Sequence, residues 1–163
     1  MRNFLSLVFI LAASGAYAQS FSATLSPPWD GINVPEGQQC HLYDGNGATP
    51  EISLSGLPEG TAMVRVEFND KSYEPLSEDG GHGVIGFAVS GTNAVLPSVP
   101  GMTADLPAGT EVLAAARSGG QYASSGYLPP CSGGRGNRYM ADVIALDAAG
   151  VELGRLALEI GKY

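Results

Sequence analysis

Two histidines and a short run of arginines are the residues from which chemistry could start. His82 stands in Gly80-Gly81-His82-Gly83, at the mouth of an apolar run that continues to Val89. Glycines on both sides let a ligand or a backbone come close. A lone histidine more often serves the fold than a reaction, so His82 needs partners before it counts as a site. His41, beside Cys40, has a weaker claim. Two histidines this far apart among scattered carboxylates do not make a zinc site. There is no Gly-x-Ser-x-Gly elbow and no Walker loop, and no nucleophile is identifiable as a partner of His82. No metal or cofactor is expected, and hydrolysis is the weakest of the readings. Glu74, Glu78 and Asp79 share a loop and read as solvated surface charge.

The most informative stretch runs from Gly126 to Tyr139: Gly-Tyr-Leu-Pro-Pro-Cys-Ser-Gly-Gly-Arg-Gly-Asn-Arg-Tyr. It begins rigid, turns flexible and feeds an apolar run. Guanidinium groups and free backbone N–H groups in such a loop suit an anion.

The elements that must position these residues are strands. Twenty-three glycines and eleven prolines divide the chain into short runs. Residues 21–25 and 51–55 alternate apolar and polar. In residues 62–68, Val64, Val66 and Phe68 share one face, with Arg65 and Glu67 on the other. Residues 83–89 read as a central strand, and residues 139–146 and 151–160 as two more. Residues 110–116 suit helix or strand equally, because alanine favours helix. No segment carries a long 3.6-residue period with caps at both ends. The pattern predicts an all-β, Greek-key β-sandwich with one or two short helices. Asp147-Ala148-Ala149-Gly150 predicts a hairpin turn. Residues 91–107 and 118–125 read as long loops.

The N-terminus predicts that this fold lies outside the cytoplasm. Arg2, the apolar run from Phe4 to Ala13 and Ala16-Tyr17-Ala18 form a signal peptide over residues 1–18. The run is too short to span a bilayer. An uncleaved anchor or a buried N-terminal helix is the alternative. Residues 19–163 then make one domain, periplasmic or secreted, with no integral membrane segment after cleavage. Losing Arg2 takes the net charge from −8 to −9. Such a chain repels nucleic-acid backbones and lacks a basic patch for anionic membranes. Export also lets a disulfide persist. Cys40 and Cys131 lie in Gly- and Pro-rich loops and are expected to pair, two buried thiols being the alternative.

Taken with Tyr139-Met140-Ala141-Asp142-Val143-Ile144-Ala145-Leu146-Asp147, the Gly126–Tyr139 loop resembles the phosphatidylethanolamine-binding protein family, in its bacterial Raf-kinase-inhibitor-like branch. That family carries "GY-x-GPCPP…HRY…YALD" at this point. Cys40 to Gly45 with Thr49 to Leu54 is similar to its "C-x-G…SP-x-L-x-W". Leu57-Pro58-Glu59-Gly60-Thr61 is similar to its "VP-x-GT", and His82 falls at its pocket histidine. The resemblance spans residues 29 to 160. It implies a small, exposed anion pocket formed by Asp70, His82, Tyr127, Pro130, Asn137 and Arg138. The departures fall on that pocket. Asn69-Asp70-Lys71-Ser72-Tyr73 stands where the family has "DPDAP", Gly83 follows the histidine in place of tryptophan, and Asn137 replaces the histidine of "HRY". Asparagine keeps a hydrogen-bonding amide but no titratable donor. Lys71 is a candidate to restore positive charge. The resemblance implies a non-enzymatic protein that binds a small anionic ligand, phosphate or a phosphorylated head group, and that inhibits or regulates a protein partner. The other reading is an interaction or structural domain whose pocket has decayed. The Cys40–Cys131 bridge would hold the pocket wall rigid.

Overall fold

Side-chain alternation along residues 63–70 shows how the sheets form. Val64, Val66 and Phe68 are buried, while Arg65 and Glu67 on the opposite face pair at 3.0 Å. A strand with that pattern needs a second apolar layer on one side only. The computed structural model describes residues 21–163 and supplies that layer. The signal peptide expected at residues 1–18 lies outside the described residues.

Eight strands follow in chain order: β1 (Ser22–Leu25), β2 (Ile52–Ser55), β3 (Met63–Asp70), β4 (Val84–Ala88), β5 (Asn93–Leu96), β6 (Thr110–Ala114), β7 (Arg138–Leu146) and β8 (Glu152–Lys162). They form a three-stranded sheet, β1-β2-β5, and a five-stranded sheet, β6-β4-β3-β7-β8. All the strand pairs are antiparallel. Ile52, Leu54 and Leu96 of the small sheet join Val64, Val66, Ile85, Phe87, Val143 and Ile160 of the large one in a single core. This is the expected all-β sandwich.

Two details differ from the sequence-based expectation, and one alternative it left open is decided. The one or two short helices are 3-10 turns of three residues each, at His41–Tyr43, Glu74–Leu76 and Gly120–Tyr122, and no α-helix occurs among the described residues. Dense glycine and proline leave no room for a longer period. β5 lies inside the segment read as a loop over residues 91–107. It is four residues long, and Asn93 and Val95 are exposed, so its alternation is too brief to be a signal. Residues 110–114 are strand, because pairing with β4 overrides the helix preference of alanine. The turn at 147–150 is as expected. The Asp147 carboxylate accepts from the N–H groups of Ala149 and Val151, at 2.8 Å each, and closes the β7–β8 hairpin.

Cys40 and Cys131 are disulfide-bonded, their Cα atoms 5.2 Å apart across 91 positions of chain. The bridge packs with Ala116 and Leu128 in a small second cluster beside the cavity described below. No described helix is long and apolar enough to cross a membrane.

Candidate ligand pocket

A cavity of about 460 Å³ opens where the end of β3, the turn before β4, the segment after β6 and the loop before β7 meet. Asp70, His82 and Asn137 line it, so three of the six residues implied by the resemblance converge. The loop's own hydrogen bonds bring them there. Asn69, at the end of β3, accepts from the N–H groups of Gly80 and Gly81 at 2.9 and 3.1 Å. It donates to the Glu67 carbonyl and the Asp142 carboxylate. The glycine turn is thereby fixed, and His82 follows directly. The His82 N–H donates to Phe68, and the Leu128 N–H donates to the His82 carbonyl, each at 2.8 Å.

The His82 ring is buried, with Nδ1 2.8 Å from the Leu128 carbonyl oxygen. A carbonyl only accepts, so Nδ1 carries the proton. The ring meets Tyr139 edge-on, with centroids 5.3 Å apart. Burial holds His82 below its ordinary value, opposed by the Leu128 carbonyl and the Asp70 carboxylate. Burial also pushes the Tyr139 phenol up to about 12, with the neighbouring Asp70 carboxylate adding to the rise. Asp70 accepts from the Ser72 N–H at 2.9 Å and from the Asn137 amide at 2.7 Å.

The resemblance places three further residues in the pocket; the structure puts them elsewhere. Arg138 lies one position from Asn137 and Tyr139, and the two-residue period of a strand turns it to the other face. There it pairs with Glu159 and does not line the cavity. That pairing, by hydrogen bond and by charge, raises the Arg138 guanidinium further above its ordinary value. Tyr127 is buried and does not line the cavity; it packs on Phe68 with centroids 4.6 Å apart, and burial drives its phenol far above the usual range. Pro130 is buried behind the wall, where its carbonyl accepts from the Cys40 N–H at 3.0 Å. Lys71 does not restore charge to the pocket. Its ammonium donates to the Ser77 carbonyl at 2.7 Å, and it does not line the cavity. Gly83 has φ +111°, and a Cβ there would meet the Gly126 carbonyl oxygen at 2.8 Å. The tryptophan of the family pattern therefore has no room at this position.

The two cationic residues that line the cavity, Arg117 and Arg135, were not among those six. Arg117 donates to the carbonyls of Asp79, Pro75 and Glu78, bracing the loop that the sequence presented only as acidic surface. Arg135 donates to the Ser132 carbonyl. Arg65, Arg138 and Arg155 stand against carboxylates. Among the described residues no carboxylate pairs with Arg117 or Arg135. Arg135 was visible in its glycine-rich loop. Nothing in the sequence marked Arg117, because its placement depends on where β6 ends. Tyr73 and Tyr122 complete the mouth.

This two-sheet antiparallel sandwich has a phosphatidylethanolamine-binding-protein-like fold, as superposition on a solved structure shows. The chain superposes with a TM-score of 0.54 on a phosphatidylethanolamine-binding protein homologue from Chlamydia trachomatis, at 20% identity over 89% of this chain and 97% of that one. No family model and no curated protein sequence matches the chain.

Proposed function

We propose that this is an exported, non-enzymatic member of the phosphatidylethanolamine-binding protein family, of the bacterial Raf-kinase-inhibitor-like branch, that holds a small anionic ligand in its cavity. The observation that carries the reading is electrostatic. In a chain of net charge −8, the two guanidinium groups that have no carboxylate partner among the described residues line the same cavity. A guanidinium left facing a partly enclosed space attracts an anion more strongly than one in open water. Phosphate and phosphorylated head groups are the first candidates. Regulation of a protein partner would follow from occupancy of the pocket mouth.

The non-enzymatic part follows the family resemblance; His82 Nδ1 is held by a backbone carbonyl. The disulfide agrees with a periplasmic or secreted location. NMR titration of the oxidised protein with inorganic phosphate and phosphoethanolamine tests the reading. The Nε–H signals of Arg117 and Arg135 and the amide of His82 are expected to shift and saturate. If neither anion moves them at millimolar concentration, the anion pocket is wrong.

A further inference from the structure

The cavity has two polarities, arranged by depth. Asp70 and His82 are 4% and 3% exposed and lie at its floor, whereas Arg117 and Arg135 are exposed at its rim. The floor accepts hydrogen bonds. Asp70 brings a carboxylate. His82 gives its Nδ1 proton to the Leu128 carbonyl, so in the neutral ring Nε2 is a lone pair. That nitrogen has no hydrogen-bond partner among the described residues. It is also not sealed off from the cavity space. The rim donates. A fully deprotonated anion pushed to the floor would meet a carboxylate and a lone pair with no proton to offer either, and only the Tyr139 hydroxyl would donate to it.

We propose, resting on the reading that the two arginines hold an anion, that the ligand is a zwitterionic amino carboxylate, a free amino acid. Its ammonium points inward to Asp70 and His82 Nε2, and its carboxylate points outward to Arg117 and Arg135. Three protons of an ammonium match acceptors at the floor. A carboxylate suits the rim better than a phosphate, because three of the five N–H groups of Arg117 already serve the carbonyls of residues 75, 78 and 79. The volume of about 460 Å³ lies in the range of small-molecule sites and leaves space for a side chain. Leu76, Leu128 and Tyr122 on the walls make that side chain apolar or aromatic.

Calorimetric titration of the oxidised protein with L-phenylalanine, N-acetyl-L-phenylalanine, phosphoethanolamine and inorganic phosphate is the test. Phenylalanine is expected to bind at least about tenfold more tightly than its N-acetyl form, the scale of one charged hydrogen bond. Asp70→Asn is expected to erase that difference, and Arg135→Ala to weaken both compounds. The ligand series on the unaltered protein decides the matter if Asp70→Asn does not fold. Equal or tighter binding of the N-acetyl form overturns the inward ammonium and leaves the anion reading standing. Tighter binding of phosphoethanolamine or phosphate than of phenylalanine overturns the carboxylate and likewise leaves that reading intact. No binding of any of the four overturns both.

Discussion

The Asn137 amide donates to the Asp70 carboxylate across 2.7 Å, joining the loop before β7 to the end of β3 at the cavity floor. This contact puts the asparagine that replaces the family's histidine to structural use: it partners a buried carboxylate.

Asn137→Ala removes that donor and leaves Asp70 Oδ2 to water or nothing. Asn137 is half-buried, so water recovers part of the loss. The expected cost is about 1 kcal/mol, read as a lower urea midpoint with an unchanged slope. A midpoint equal to that of the unaltered protein would show that the contact is not maintained in solution.

Asn69 carries more. Its side chain makes four hydrogen bonds and is 1% exposed, and two of the four satisfy the Gly80 and Gly81 N–H groups. Asn69→Ala orphans the Gly80 N–H and leaves that of Gly81 with the Glu78 carbonyl alone, for a loss of about 2 kcal/mol. Hydrogen exchange is expected to accelerate at residues 80–83 before it does in β7. Uniform protection across the turn and β7 in the variant would remove Asn69 as the turn's anchor.

How much of this was legible in the sequence depended on whether the signal was local. Val64, Val66 and Phe68 announced β3 because period-two burial is written into adjacent residues. Asp147 to Gly150 announced the hairpin because turn chemistry is local too. β5 failed, since two inward residues make no period. At the cavity, Asp70, His82 and Asn137 were legible through the order of short motifs. Arg138 was misplaced because a motif gives position along the chain but not which face of a strand a side chain takes. Arg117 was invisible because only tertiary pairing of β4 with β6 brings it over the loop at residues 75–79.

The burial of His82 makes stability depend on pH with a definite sign. Its ordinary value is 6.5, and burial lowers it in the folded chain. The unfolded chain therefore takes up the proton first as pH falls. Stability from this group is fully present above 6.5 and declines as pH drops from there towards the folded value. Asp70 beside the ring opposes the shift, while Tyr139 faces it edge-on. Urea unfolding at about pH 7.5 and about pH 5.5 is expected to show a fall that is smaller in His82→Gln by about 1 kcal/mol. Identical falls in the two proteins would mean that the folded and unfolded chains bind this proton equally.

The bridge between Cys40 and Cys131 acts on the unfolded chain and on the pocket wall together. It closes 91 positions of chain, and in the chain-entropy account its removal costs about 4 kcal/mol. The native loops have other ties. The Cys40 N–H donates to the Pro130 carbonyl, and the Cys40 carbonyl accepts from Tyr43 and Gly45. The Cys131 N–H donates to the Tyr139 hydroxyl at 3.1 Å. These contacts involve backbone groups and survive serine at both positions. The double variant Cys40→Ser with Cys131→Ser is therefore expected to keep the fold by circular dichroism while its urea midpoint falls steeply. Cys131 also lines the cavity, so the variant should bind whichever probe the parent binds more weakly, through a less fixed wall. A stability loss below about 1 kcal/mol would mean that the unfolded chain already holds the two loops near each other. Unchanged ligand affinity beside the full stability loss would assign the bridge to the fold alone and leave the cavity to the hydrogen bonds of Asn69 and Asn137.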